Sequence, residues 1–172
     1  MTIVEEKHLH DQTHITSFVE EIANQFSSEN PFVLIFEIIA YLNNNLTQRV
    51  DNKTDVFRNR TAEQILKDGY ATGCTDYTLA FLVLARSLGF TAEYVELLEK
   101  NWLKGNDENI IGHVEAKVTI QGSGYFVDPT HGSISIYQPS GMVIYKMGKD
   151  SWDIGITNEN WKERFYNFRG NK

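Results

Sequence analysis

The strongest constraint on the fold of this chain is a change of hydrophobic rhythm at Gly89. Ahead of it, Tyr77 to Leu88 form a strongly apolar run, which Gly89 closes as a glycine just past a helix end would. After it the period is that of a strand: Val114, Ala116, Val118 and Ile120 alternate with His113, Glu115, Lys117 and Thr119. Gln121-Gly122-Ser123-Gly124 then reads as a turn and Tyr125 to Asp128 as the second strand of a hairpin, ended by Pro129. Ser133 to Tyr137 and Met142 to Met147 suggest further strands, Ser151 to Ile156 a packed strand, and Trp161, Phe165 and Phe168 a closing helix. The first half of the chain is helical in pattern. Ile15, Phe18, Val19, Ile22 and Phe26 make a helical stripe, and Asn30-Pro31 has the form of an N-cap followed by proline at the first helical position. Phe32 to Leu42 is apolar on most faces, which predicts a buried helix, whereas Leu46 to Arg60 is polar and suits a surface loop or a helix extension. Thr61 and Gln64 have capping-box spacing, so a short helix is expected from Ala62 to about Gly69. Ala71-Thr72-Gly73 is turn-like, which places Cys74 at or next to the first turn of the apolar helix. Helices first and a mostly antiparallel sheet later define an α+β class.

A length of 172 residues suits one domain over 1–172 with a core that needs no metal or disulfide. The net charge of −7 argues against a nucleic-acid partner. Cys74 is the sole cysteine, which excludes a disulfide within the chain and a cysteine-rich zinc site. Glu5 and Glu6 with no following apolar run argue against a signal peptide. Phe32 to Leu42 is too short to span a bilayer, which takes about 20 apolar residues. A soluble, cytoplasmic protein with no membrane partner is expected; its oligomeric state is left open.

A lone cysteine is either a small core residue or a nucleophile. Two features favour the thiolate: a helix N-terminus and a neighbouring imidazolium. Cys74 has the first, and its own N–H is placed to serve as an oxyanion donor. Among five histidines, only His113 lies within a convincing strand. Asp128 follows on the next strand, and the hairpin brings the two close; a turn centred at about 122.5 puts them near each other without placing them directly opposite. His10 and His14 stand four apart, but no further ligand completes a zinc set, so no metal is expected. Asp76 reads as a first-turn carboxylate; His131 is within reach of the cleft but reads more simply as a solvent-facing turn histidine.

Five segments carry a resemblance. They are Arg60-Thr61-Ala62-Glu63-Gln64-Ile65-Leu66, Gly73-Cys74-Thr75-Asp76-Tyr77, Leu84-Ala85-Arg86-Ser87-Leu88-Gly89-Phe90, Gly112-His113-Val114 and Tyr125-Phe126-Val127-Asp128-Pro129-Thr130. In this order, over about 60–132, they resemble the transglutaminase-like superfamily. The resemblance implies a papain-like core and a catalytic triad of Cys74, His113 and Asp128, with no cofactor. It implies acyl transfer on amide bonds of peptides or proteins through a thioester. Hydrolysis is favoured over transamidation because the compact chain shows no mark of a water-excluding lysine site. The chain is too short for the extra domains and calcium sites of large animal transglutaminases, which argues against calcium dependence and cross-linking. Two other readings stand beside it: a binding module that kept the cleft and lost the chemistry, and a cysteine acetyltransferase. The second oxyanion donor is not ranked by sequence; Asn45 and Gln48 are candidates.

Overall fold

The computed structural model describes residues 11–51 and 53–170. The order is α1 (Ser17–Ala23), α2 (Pro31–Asn45), β1 (Thr47–Gln48), α3 (Lys53–Val56), α4 (Ala62–Asp68), β2 (Tyr70–Ala71), α5 (Cys74–Ser87), β3 (Thr91–Glu99), α6 (Lys100–Lys104), β4 (Gly112–Ile120), β5 (Ser123–Asp128), β6 (Ser133–Ser135), β7 (Met142–Gly148) and α7 (Trp161–Gly170). β6-β5-β4-β3-β7 form one antiparallel sheet, and β1 pairs with β2 in parallel. This is the α+β arrangement that the change of rhythm predicts.

Helix α5 is the centre of the molecule. From Thr75 to Ala85 every residue is buried, because α1, α2 and α4 cover one side and β3 and β4 the other. A helix buried all round carries no amphipathic signal, which is why its apolar run is nearly continuous. The α2 helix differs from expectation. Ile35, Ile38, Ile39 and Leu42 are buried, but Val33 and Phe36 are exposed, so it is buried on one face only. Its start is as predicted: the Asn30 side chain accepts from the N–H groups of Phe32 and Val33.

The α4 helix shows how local sequence sets a boundary. Thr61 Oγ1 accepts from Gln64 N, Gln64 Oε1 accepts from Thr61 N, and Gly69 ends the helix in the left-handed region at φ 69°. Thr61→Ala is expected to destabilise the chain by about 1 kcal/mol, read by urea unfolding; an unchanged midpoint would show that the capping box is dispensable.

Two segments depart from the sequence reading. Ser151 to Ile156 is a series of turns, not a strand. Asp150 Oδ1 accepts from Asp153 N, Ile156 N donates to Ser151 O, and Gly155 adopts φ 80°. Strand β3, which lies between β4 and β7, has no counterpart in that reading, because its buried Glu96 breaks the alternation. No helix among the described residues is long and apolar enough to cross a membrane.

Candidate active site

Cys74 is the first residue of α5, with extended Gly73 as its N-cap. The first-turn N–H groups of a helix lack intrahelical acceptors, so the partly buried thiol stands at the positive end of the helix dipole. One turn on, Thr78 Oγ1 donates to Val114 O at 3.1 Å. That bond fixes the start of β4 against the start of α5, and His113 is the residue before Val114. His113 and Cys74 line the same cavity, and the thiol's charge favours the imidazolium form of His113.

The third member comes from the hairpin. Gln121 and Gly122 both have positive φ, at 51° and 81°, giving a two-residue turn with Ile120 opposite Ser123. This turn is tighter than the four-residue one predicted. The register puts Ala116 opposite Val127, shifting Asp128 toward His113 relative to the sequence-based register. His113 Nε2 lies 2.7 Å from Asp128 Oδ2. With Nε2 engaged by Asp128, Nδ1 is the ring nitrogen left to serve the thiol. The structure therefore brings Cys74, His113 and Asp128 together.

Asp128 holds more than one histidine. His131 Nδ1 also lies 2.7 Å from Oδ2, while the backbone N–H groups of Thr130 and His131 donate to Oδ1. His131, expected as a solvent-facing turn residue, is 70% exposed and is also bonded to the Asp128 carboxylate. The signal was its position, three residues past Asp128 in a Pro-Thr turn that folds back. Burial alone would raise the Asp128 pKa; its hydrogen bonds to His113 and His131 prevail and hold it well below the ordinary range. Burial likewise works against charge on His113, but its hydrogen bond to Asp128 and its interaction with Cys74 raise its pKa from 6.5 to about 10. The imidazolium is therefore the favoured form at neutral pH.

These shifts have a definite sign in stability. The His113 contribution is complete below pH 6.5 and is lost as pH rises toward about 10. The Asp128 contribution is present above pH 3.8 and is lost as pH falls through its depressed value. Urea unfolding followed across pH should thus show stability declining between about 6.5 and 10, and His113→Gln should flatten that limb. An alkaline limb identical in the variant would contradict the assignment.

Asp76 is not at the thiol. It is buried, paired with Arg60 Nη2 at 2.7 Å, and accepts from Thr72 N and Oγ1, so it anchors the turn that leads into Cys74. Beneath the site, Arg58 forms a fork on Glu96, with Nη2–Oε1 at 2.7 Å and Nη1–Oε2 at 2.8 Å. A cavity of about 150 Å³ opens on Cys74 and His113, and Lys53, Phe57 and Trp161 connect it to a groove of about 600 Å³. Neither Asn45 nor Gln48 lines that cavity, and Asn45 Nδ2 donates instead to Tyr41 O. His10 lies outside the described residues, so its spacing with His14 has no structural counterpart here.

Comparison with known proteins places this geometry. The profile described as transglutaminase-like superfamily matches residues 20–129, more than half of the chain. No curated protein matches the chain significantly. Among solved structures, a protein from Cytophaga hutchinsonii proposed to be a cysteine protease superposes with a TM-score of 0.62 at 16% identity, over 84% of this chain and 48% of its own. A proposed protease from Parabacteroides distasonis superposes with a TM-score of 0.51 at 14% identity, over 74% of this chain and 29% of its own. The chain spans about half the length of the first of these proteins and under a third of the second. At such identity the likeness is one of fold.

Proposed function

The chain belongs to the transglutaminase-like superfamily, and we propose that it is a cysteine hydrolase acting on amide bonds of peptides or proteins, with Cys74 as nucleophile, His113 as proton carrier and Asp128 as the group that orients it. The observation that carries this reading is the convergence of the three groups: Cys74 and His113 line one cavity, and His113 Nε2 lies 2.7 Å from Asp128 Oδ2.

In the reaction, Cys74 Sγ attacks the amide carbonyl and a tetrahedral oxyanion forms beside the N–H groups of the first turn of α5. The proton held by His113 at Nδ1 passes to the departing amine, the C–N bond breaks and a thioester remains. His113, now neutral, accepts a proton from water as that water attacks the thioester. The acid leaves and the thiolate–imidazolium pair is restored. Asp128 stays ionised throughout, holding the Nε2 proton and thereby the ring's orientation. A cytoplasmic location is part of this proposal, since a free thiol suits a reducing compartment.

Hydrolysis is favoured over transamidation because the cavity at Cys74 is continuous through Lys53, Phe57 and Trp161 with a groove of about 600 Å³, which gives water a path to the thioester. Mass spectrometry of glutamine-containing and other peptides, incubated with and without a primary amine, tests both points. Amide cleavage or deamidation that disappears in Cys74→Ala is expected. A product gaining the mass of the amine minus ammonia, in preference to hydrolysis, would make the chain a transglutaminase; full activity in Cys74→Ala would end the proposal.

A further inference from the structure

Asp128 gathers more than the orientation of one imidazole requires. His113 Nε2 and His131 Nδ1 each lie 2.7 Å from the same oxygen, Oδ2. The three atoms able to ligate a metal lie within 4.8 Å of one another, and the two rings stand 5.4 Å apart between centroids. The backbone N–H groups of Thr130 and His131 hold Oδ1, which fixes the carboxylate in place. An ionised carboxylate only accepts, so both ring nitrogens present a proton to it. One such bond suffices to orient His113; the second, from an exposed histidine, has no part in the proton path.

Two imidazoles and a carboxylate converging on one point are the donor set of a three-ligand zinc site. Ligand atoms on one tetrahedral zinc stand about 3.3 Å apart, given bonds of about 2.0–2.1 Å. Replacing the two bridging protons by an ion thus asks for a spread of about 0.6 Å beyond the present 2.7 Å, and His131, on an exposed turn, is the side chain free to give it. The surroundings fit a cation. Glu115 is 6% exposed, holds Oε1 4.0 Å from His113 Nε2, and has no lysine or arginine partner among the described residues. Thr130 Oγ1 is buried without a hydrogen-bond partner, in the residue whose N–H donates to Asp128. An unmatched buried carboxylate and an unpaired buried hydroxyl are both costly; a divalent ion carrying a water satisfies the two together.

We propose that His113, Asp128 and His131 form a zinc site that switches the thiol chemistry off. The ion takes the lone pairs of His113 Nε2 and His131 Nδ1 and an oxygen of Asp128, and the two displaced protons leave to water. The His113 ring then keeps its one proton at Nδ1, so Nδ1 has no lone pair with which to accept the proton of Cys74. The metal site stands independently of how Cys74 is read, whereas the switching rests on the proposed function above.

Calorimetric titration of zinc into the Cys74→Ala chain tests the site with the thiol removed as a ligand. One equivalent should bind. Adding His131→Gln should weaken that binding by about 100-fold or more, since partners behind the ligands alone are worth about 10–100-fold. No saturable binding, or binding that survives His131→Gln and so belongs to other histidines, overturns the site. Should His131→Gln fail to fold, NMR of the Cys74→Ala chain decides: the imidazole signals of His113 and His131 should move together with zinc, and shifts confined to other histidines overturn it. The switch is read on the parent chain by alkylation of Cys74 with iodoacetamide. Saturating zinc should slow the reaction about tenfold or more, a chelator should restore it, and zinc should have little effect in His131→Gln. Unaltered alkylation with zinc bound overturns the switch. Slowing that persists in His131→Gln does so too, because it puts the ion on the thiol itself. A Cys74 already inert without zinc would instead defeat the proposed thiol chemistry and the switch with it, while zinc bound to Cys74→Ala would still establish the site.

Discussion

Arg58→Met is expected to destabilise the chain by about 3–5 kcal/mol, the largest loss of stability from any single change considered. The guanidinium is 3% exposed and forks onto Glu96, which is equally buried. Nη1 also donates to Tyr94 Oη at 3.0 Å and Ser151 Oγ at 2.9 Å, while Tyr94 donates to Glu96 Oε2. Removing the cation strands a carboxylate among apolar neighbours, and it is that stranded charge, more than the lost attraction, that makes the substitution costly. Arg58 itself sits in the left-handed region at φ 58°, where a side-chain-bearing residue is strained. Its carbonyl accepts from Gln12 Nε2 and Trp152 Nε1, so three distant parts of the chain meet at this residue. The double variant Arg58→Met with Glu96→Leu should recover much of the loss, because no charge remains unmatched. Guanidinium unfolding of the single and double variants decides this. A single variant within about 1 kcal/mol of the parent would show the fork to be energetically idle.

Asp128→Asn should lower turnover of any peptide amide that the parent chain cleaves by about 10²–10⁴-fold. The native carboxylate accepts on both oxygens: two imidazole nitrogens on Oδ2, two backbone N–H groups on Oδ1. An asparagine has one accepting oxygen. If that oxygen stays with the turn, the amide donates to His113 Nε2 and forces the proton onto Nδ1 of a neutral ring. If it stays with the histidines, the turn loses its acceptor and Asp128-Pro129-Thr130 moves. Either way His113 loses the charge partner that holds its pKa near 10. NMR titration of His113 supplies a readout that needs no substrate. Its midpoint should fall from about 10 toward 6.5 in the variant, and an unmoved midpoint would remove Asp128 from the triad.

The parts of this molecule legible in its sequence are those governed by local chemistry. The capping box of Thr61 and Gln64, the Asn30-Pro31 helix start and the stop at Gly89 are each set by residues within one turn of each other. Cys74 at a helix start was readable for the same reason, and His113 because strand alternation places it. The hairpin was read with its turn too long, since Gln121 adopts a positive φ that a glutamine rarely takes. Strand β3 was missed because Glu96 reads as a surface residue until Arg58, 38 positions earlier in the chain, is seen to cover it. Ser151 to Ile156 has apolar residues at alternate positions and so mimics a strand, while the bonds that make it a turn come from Asp150 and Asn160 side chains. That His131 and Glu115 lie beside Asp128 and His113 is not legible in the sequence, because it depends on how β4, β5 and the turn after β5 close on one another.

In the proposed mechanism Cys74 and His113 act as one unit. The most direct test is the rate of Cys74 alkylation by iodoacetamide as a function of pH, in the parent chain and in His113→Ala. An ordinary thiol has a reference pKa near 8.5, so at pH about 6 less than about 1% of it is thiolate. The parent chain should still react readily at that pH, and His113→Ala should be slower there by on the order of 100-fold, with the two rates converging above pH about 9. Two profiles that both rise like an ordinary thiol, or a Cys74 that stays inert until the chain unfolds, would contradict it.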